Sequence, residues 1–164
     1  CHPVGDVRAD LCLSLARAAG AGGMVRGQML DIAAETAAQP LDLAQITELQ
    51  AGKTGALITW SATVGARMAG ADLAPLARYG DALGLAFQVW DDVLDVTGDA
   101  AKTGKAVGKD AQAGKATFVS LLGLEAAQTQ ARTLVDHACD ALSGYGDGAD
   151  CLRQAARFVI ARES

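Results

Sequence analysis

The chain has 164 residues, a net charge of −5, 51% hydrophobic residues and only 4% aromatic residues. That length suits one ordinary domain, and the apolar content excludes a disordered chain. The acidic balance excludes a basic nucleic-acid-binding face, and no apolar run approaches the roughly 18–20 residues of a membrane span.

In chain order, apolar residues recur with the helical period, and no alternating strand pattern is present. The first helix is expected from Val7 to Ala19, capped by Asp6 and stopped by Gly20. A second runs from Met24 to Ala38 and ends ahead of Pro40. Asp42 is placed to cap a third, from Leu43 to Ala69, with Gly52 and Gly55 as bend points. A fourth spans Ala74 to Val96, followed by a loop from Gly98 to Lys115. Helices resume near Thr117, at Leu124 to Leu142 and at Cys151 to Arg162, with a glycine-rich turn over 144–148. The expected fold class is all-α, in one unit without repeats. The 35 Ala and 19 Gly fit tightly packed helices.

Cys1, Cys12, Cys139 and Cys151 form no CxxC pair, and the only histidines are His2 and His137. Free thiols in a cytoplasmic protein fit better than a secreted disulfide framework, although the count allows two disulfides. The start, Cys1-His2-Pro3, has no basic region, no apolar stretch and no initiator Met. It carries no signal peptide, and a helical pattern already running there reads as a chain cut from a longer one.

The fourth helix carries the chemistry. Gln88, Asp91, Asp92 and Asp95 fall at i, i+3, i+4 and i+7 on an otherwise apolar helix. Carboxylates this close repel one another unless a cation or proton intervenes. A solvated helix edge would show the same spacing, but the helix has no Lys or Arg beyond Arg78, which favours a cation site. There is no ExxH pair for a di-iron bundle and no EF-hand loop. Oxygen ligands too few to complete a cage suit Mg²⁺, which keeps waters and shares its sphere with substrate phosphates.

Of five lysines in the chain, Lys102, Lys105, Lys109 and Lys115 lie on the glycine-punctuated loop directly after this helix. A basic, close-folding loop beside an acidic stripe suits a diphosphate, though a solvated loop would match the same spacing. Gly52-Lys53-Thr54 and Gly114-Lys115-Ala116 lack the earlier glycine and preceding strand of a P-loop. Gln28, Asp31 and Glu35 form a weaker stripe on the second helix, and Lys53-Thr54 sits at the bend of the third. Each is compatible with an ordinary helix surface. Together they describe a bundle around a polar-ended cavity.

These segments carry a resemblance. Gly27-Gln28-Met29-Leu30-Asp31, Gly52-Lys53-Thr54-Gly55-Ala56-Leu57-Ile58 and the run from Gly84 to Asp95 resemble, in order and spacing, the C-terminal half of trans-polyprenyl diphosphate synthases. Thr103-Gly104-Lys105, Asp110 and Gly114-Lys115-Ala116-Thr117 continue the match, which covers roughly Gly22 to Arg162. The resemblance implies a helical bundle of the isoprenoid synthase type, here lacking its N-terminal helices. Residues 1–164 would then be the C-terminal part of a single polyprenyl synthetase domain. It implies condensation of isopentenyl diphosphate with an allylic diphosphate by ionisation, attack of the double bond and proton loss, with Mg²⁺ as cofactor. Farnesyl diphosphate is the expected product, with geranylgeranyl diphosphate the alternative.

By position, the resemblance has Asp91 binding Mg²⁺ directly and Asp92 and Asp95 holding its waters. Lys53 and Lys105 grip the allylic diphosphate beside Gln88, with Lys115 a further substrate contact. Thr54 faces the forming cation, and Gln28 and Asp31 line the cavity wall. The whole enzyme is expected to be a cytoplasmic homodimer. Arg26 and Phe118 stand where Gly and Tyr are frequent in the family. The family's first aspartate-rich motif and its isopentenyl-diphosphate-binding basic residues are absent, since Asp6 and Asp10 lie in the wrong context. The chain is therefore expected to be a portion of the enzyme and inactive alone. A noncatalytic partner subunit would be expected to have lost Asp91, Asp92, Asp95, Lys53 and Lys105. A terpene cyclase would need a late-helix metal motif that is not found, and a plain interaction module would bind no diphosphate.

Overall fold

The computed structural model describes residues 2–98 and 116–162. Lys105 and Lys115, together with Lys102, Lys109 and Asp110, lie outside the described residues. Among the described residues every regular element is helical: α1 (Gly5–Ala19), α2 (Met24–Ala34), α3 (Leu43–Gln50), α4 (Ala56–Ala69), α5 (Ala74–Thr97), α6 (Phe118–Leu122), α7 (Leu124–Ala141) and α8 (Asp150–Ala161). A wider, i→i+5 helical segment, Ala51–Gly55, joins α3 to α4, and a tighter 3₁₀ segment, Ser143–Ala149, joins α7 to α8.

Three expected boundaries are corrected. Helix α1 begins at Gly5 with Val4 as its N-cap, so Asp6 sits within the first turn and makes no side-chain cap. Its charge there still complements the helix N-terminus. Helix α2 ends at Ala34 rather than Ala38. Its last turn tightens through Glu35 N–H to Ile32 C=O (3.2 Å), Thr36 N–H to Ala33 C=O (3.3 Å) and Ala37 N–H to Ala34 C=O (3.3 Å), unwinding before Pro40. The expected bends at Gly52 and Gly55 are taken up by one widened turn, a helical irregularity frequent at functional sites. Asp42 caps α3 as expected, and Gln45 closes the reciprocal bond (2.8 and 2.9 Å).

Helix α5 is the axis of the bundle and packs against α4 on one side and α7 on another. Its Ala86, Val89 and Val93 are buried, as are Ala127, Ala131, Val135 and Ala138 of α7. Small side chains along α7 let the two helices approach closely. Full burial of Val89 and Val93 stabilises the bundle by about 1.5–3 kcal/mol each relative to exposure. Helix α1 is tied to α4 by Trp60 Nε1 donating to Ser14 Oγ (3.0 Å) and by Arg67 on Asp10 (3.1 Å).

The widened turn is wedged between two neighbours by glycine. A Cβ on Gly27 of α2 would lie 2.0 Å from the Lys53 nitrogen, and a Cβ on Gly84 of α5 would lie 2.9 Å from the Gly55 Cα. The backbone around Lys53-Thr54 can reach its place only because neither helix carries a side chain there. Cys12, Cys139 and Cys151 are free thiols. No described helix is long and apolar enough to cross a membrane.

Candidate functional site

A polar cavity of about 340 Å³ lies between α2, α3, the widened turn and α5, with Ala116 and Thr117 at its edge. Asp31 enters from α2 and Glu35 from its C-cap, Gln50 from α3, Lys53 from the widened turn, and Gln88, Asp91 and Asp92 from α5. Apolar Ile46, Leu49 and Leu41 complete the wall. Residues spread over more than sixty positions thus converge because α5 runs past both α3 and the turn that follows it.

Inside the cavity, Lys53 Nζ donates to Asp31 Oδ2 at 2.7 Å, with both side chains largely shielded from solvent. Thr54 Oγ1 donates to Gln88 Oε1 (3.2 Å), and Gln88 Nε2 donates to Asp91 Oδ2 (3.1 Å). This relay fixes the Gln88 amide and, through it, the Asp91 carboxylate. The other oxygen, Asp91 Oδ1, accepts from Arg162 Nη2 at 2.6 Å. Asp92 Oδ2 accepts from the Phe118 backbone N–H (2.6 Å), anchoring the start of α6 to α5. Among the described residues, the buried Gln50 Oε1 finds no hydrogen-bond partner.

Of the expected site residues, Lys53, Asp31, Gln88, Asp91 and Asp92 line this one cavity, and Thr54 joins through Gln88. Asp95 is half-buried one turn further along α5 and is not part of the cavity wall. Gln28 is exposed and lines a separate apolar groove with Met24, Met29 and Ile32. It shares the i, i+4 row of Met24 and Ile32, whereas Asp31 faces the cavity and Glu35 borders both cavity and groove. Glu35, part of the weaker stripe on the second helix, also reaches this cavity, whereas Gln50 and Arg162 have no place in the sequence reading. Gln50 stands one turn before Lys53, a spacing that could have indicated it. Arg162 is 71 residues from Asp91 and has no local signal.

Residues 9–147 match the family model described as polyprenyl synthetase. The chain belongs to the polyprenyl synthetase family. It is 41% identical over 162 residues to a farnesyl diphosphate synthase of Escherichia coli, an alignment covering 94% of this chain and 54% of that protein. Its fold is similar to an FPP/GFPP synthase from Zymomonas mobilis, with a TM-score of 0.85, 45% identity, and 96% of this chain against 52% of that one. It is also similar to a geranyltransferase from Helicobacter pylori complexed with magnesium and isoprenyl diphosphate, with a TM-score of 0.77, 33% identity and coverages of 96% and 52%. The chain spans about half the length of these relatives. The fold is accordingly all-α and of the isoprenoid synthase type.

The donor set fits a hard divalent cation. The acidic side chains on its wall offer oxygen donors only, with Asp31 bonded to Lys53 and Asp92 to the Phe118 N–H, and the buried Gln50 oxygen is an acceptor without a partner among the described residues. Among the described residues no three acidic, His or Cys side chains close into a cage. Mg²⁺ commonly takes one or two protein carboxylates and fills its sphere with water and phosphate.

Proposed function

We propose that this chain supplies the diphosphate-holding wall of a prenyltransferase that condenses isopentenyl diphosphate with an allylic diphosphate (dimethylallyl or geranyl) to give farnesyl diphosphate. The observation that carries this is the convergence of Lys53, Gln88, Asp91 and Asp92 on one polar cavity in a polyprenyl synthetase chain. Similarity to enzymes named as farnesyl diphosphate and FPP/GFPP synthases supports the product class.

Departure of a diphosphate concentrates negative charge on its oxygens, and fixed cations and donors lower that cost. Lys53 is positioned for this, since Asp31 holds its ammonium at the cavity wall while leaving two of its three N–H donors for phosphate oxygens. The Thr54–Gln88–Asp91 relay keeps the carboxylate oriented and places the Thr54 oxygen beside the same wall. Asp91 and Asp92 would hold Mg²⁺, with Asp95 reaching its waters. Bound Mg²⁺ supplies Lewis-acid stabilisation of the leaving diphosphate. Lys105 and Lys115 are proposed as further phosphate contacts, and Gln28 as a more distant substrate contact. A cytoplasmic homodimer is part of the same proposal, supported by the family resemblance.

Calorimetric titration of inorganic diphosphate into the chain tests this reading. Binding is expected with Mg²⁺ present, lost with EDTA, and weakened at least about tenfold in Lys53→Ala and in Asp91→Asn/Asp92→Asn. Diphosphate binding indifferent to metal and to these changes would sink it. Incubated with Mg²⁺, isopentenyl and geranyl diphosphates, the chain alone is expected to form no product, and a clear product would refute that part. In an active longer form, the product length separates farnesyl from geranylgeranyl synthesis.

A further inference from the structure

The Asp91 carboxylate already has a cation on it. Arg162, just beyond α8, places Nη2 2.6 Å from Asp91 Oδ1, and its side chain is only 14% exposed. The guanidinium is seated rather than free. Its carbon lies 4.1 Å from the centre of the Phe87 ring, Nη2 also donates to the Phe87 carbonyl (3.3 Å), and Nε donates to the Val159 carbonyl (3.1 Å). The Arg162 carbonyl in turn accepts from Trp90 Nε1 (3.4 Å). A stack on one aromatic ring and two carbonyl bonds hold this charge against the acidic end of α5, independently of any ligand.

We propose that Arg162 is a positioning residue that acts as the resident counter-cation of Asp91 and makes metal loading depend on diphosphate. The proposal rests on the reading of Asp91 and Asp92 as the Mg²⁺-holding carboxylates. A carboxylate has about four lone-pair positions, so Arg162 and Gln88 leave room on Asp91 for a metal ion. The cost is electrostatic, because a dication approaching Asp91 meets a fixed positive charge across the same carboxylate. Metal alone therefore binds weakly. An arriving diphosphate brings the negative charge that offsets the guanidinium, and metal and diphosphate load together. Without Arg162 the carboxylate would take the metal unaided.

The test uses Mn²⁺ as the probe, with free ion measured by electron paramagnetic resonance, with and without inorganic diphosphate. Arg162→Gln is expected to bind Mn²⁺ alone about tenfold more tightly than the unaltered chain and to gain less from added diphosphate. Arg162→Lys, which keeps the charge, is expected to stay near the unaltered affinity. Equal or weaker Mn²⁺ binding by Arg162→Gln overturns the proposal. Should neither form bind Mn²⁺ even with diphosphate present, the metal-site reading fails and this inference with it. If Arg162→Gln does not fold, the Arg162 Nε–H resonance of the unaltered chain decides: it is expected to shift along the Mg²⁺ titration. A resonance that stays fixed to saturation overturns the proposal.

Discussion

Replacing Gly27 by Ala is the sharpest test of how the site is held. An added Cβ would sit 2.0 Å from the Lys53 nitrogen, 2.5 Å from its Cα and 2.6 Å from the Gly52 carbonyl carbon, whereas ordinary contact begins at 3.4 Å. All three atoms are backbone, so no side chain can swing aside, and α2 and the widened turn must part by more than 1 Å. Overpacking of this kind costs about 1–3 kcal/mol, and a clash with backbone belongs at the upper end. Ala recovers up to about 1 kcal/mol of helix propensity, leaving a net loss of about 1–2 kcal/mol. Asp31 lies one turn further along α2, so the same movement lengthens its 2.7 Å bond to Lys53 and weakens diphosphate binding. Gly65→Ala is the internal control. That glycine is exposed on α4 with nothing within 4 Å, so the propensity gain of about 0.5–1 kcal/mol should appear unopposed. Urea denaturation should therefore show the two substitutions moving stability in opposite directions. A Gly27→Ala chain as stable as the unaltered one would refute the close approach.

Other consequences are as specific. Asp92→Ala measured in EDTA should still cost about 1–2 kcal/mol, because Asp92 holds the Phe118 N–H as well as facing the cavity; no loss without metal would deny that anchoring role. Trp60→Phe keeps the apolar ring but removes the bond to Ser14, and chemical denaturation should report a loss of about 0.5–1.5 kcal/mol. Burial, and secondarily the Cys139 thiolate, raises the Tyr79 phenol above its ordinary pKa of 10.0. The folded chain then keeps this proton longer than the unfolded chain. Its stabilising contribution is complete below pH 10 and is lost as pH rises through the higher folded value. Thermal melts should fall more steeply above pH 10 for the unaltered chain than for Tyr79→Phe, and matching slopes would contradict this.

The helices were legible because each carries its own local signal. Apolar period, the Asp42 cap and the Gly20 and Pro40 stops all act within a turn or two. The acidic stripe was legible for the same reason, since Gln88, Asp91 and Asp92 are neighbours on one helix. The details that failed depend on partners. Whether Gln28 or Asp31 faces the cavity is decided by how α2 is rotated, and that rotation is set by Gly27 meeting Lys53 across 26 residues. Likewise, the acidic helix itself carries no Lys or Arg beyond Arg78, as its sequence shows, but Arg162 reaches it from the end of another helix, 71 residues away. Only the packing of α8 beside α5 brings that charge into place.

The most direct measurement is a crystal of the chain grown or soaked with Mn²⁺ and inorganic diphosphate, with the metal located by its anomalous signal. The expected result is a peak at the Asp91 and Asp92 carboxylates and a diphosphate in the cavity against Lys53. A metal or diphosphate bound elsewhere, with this cavity filled only by water, would contradict the account.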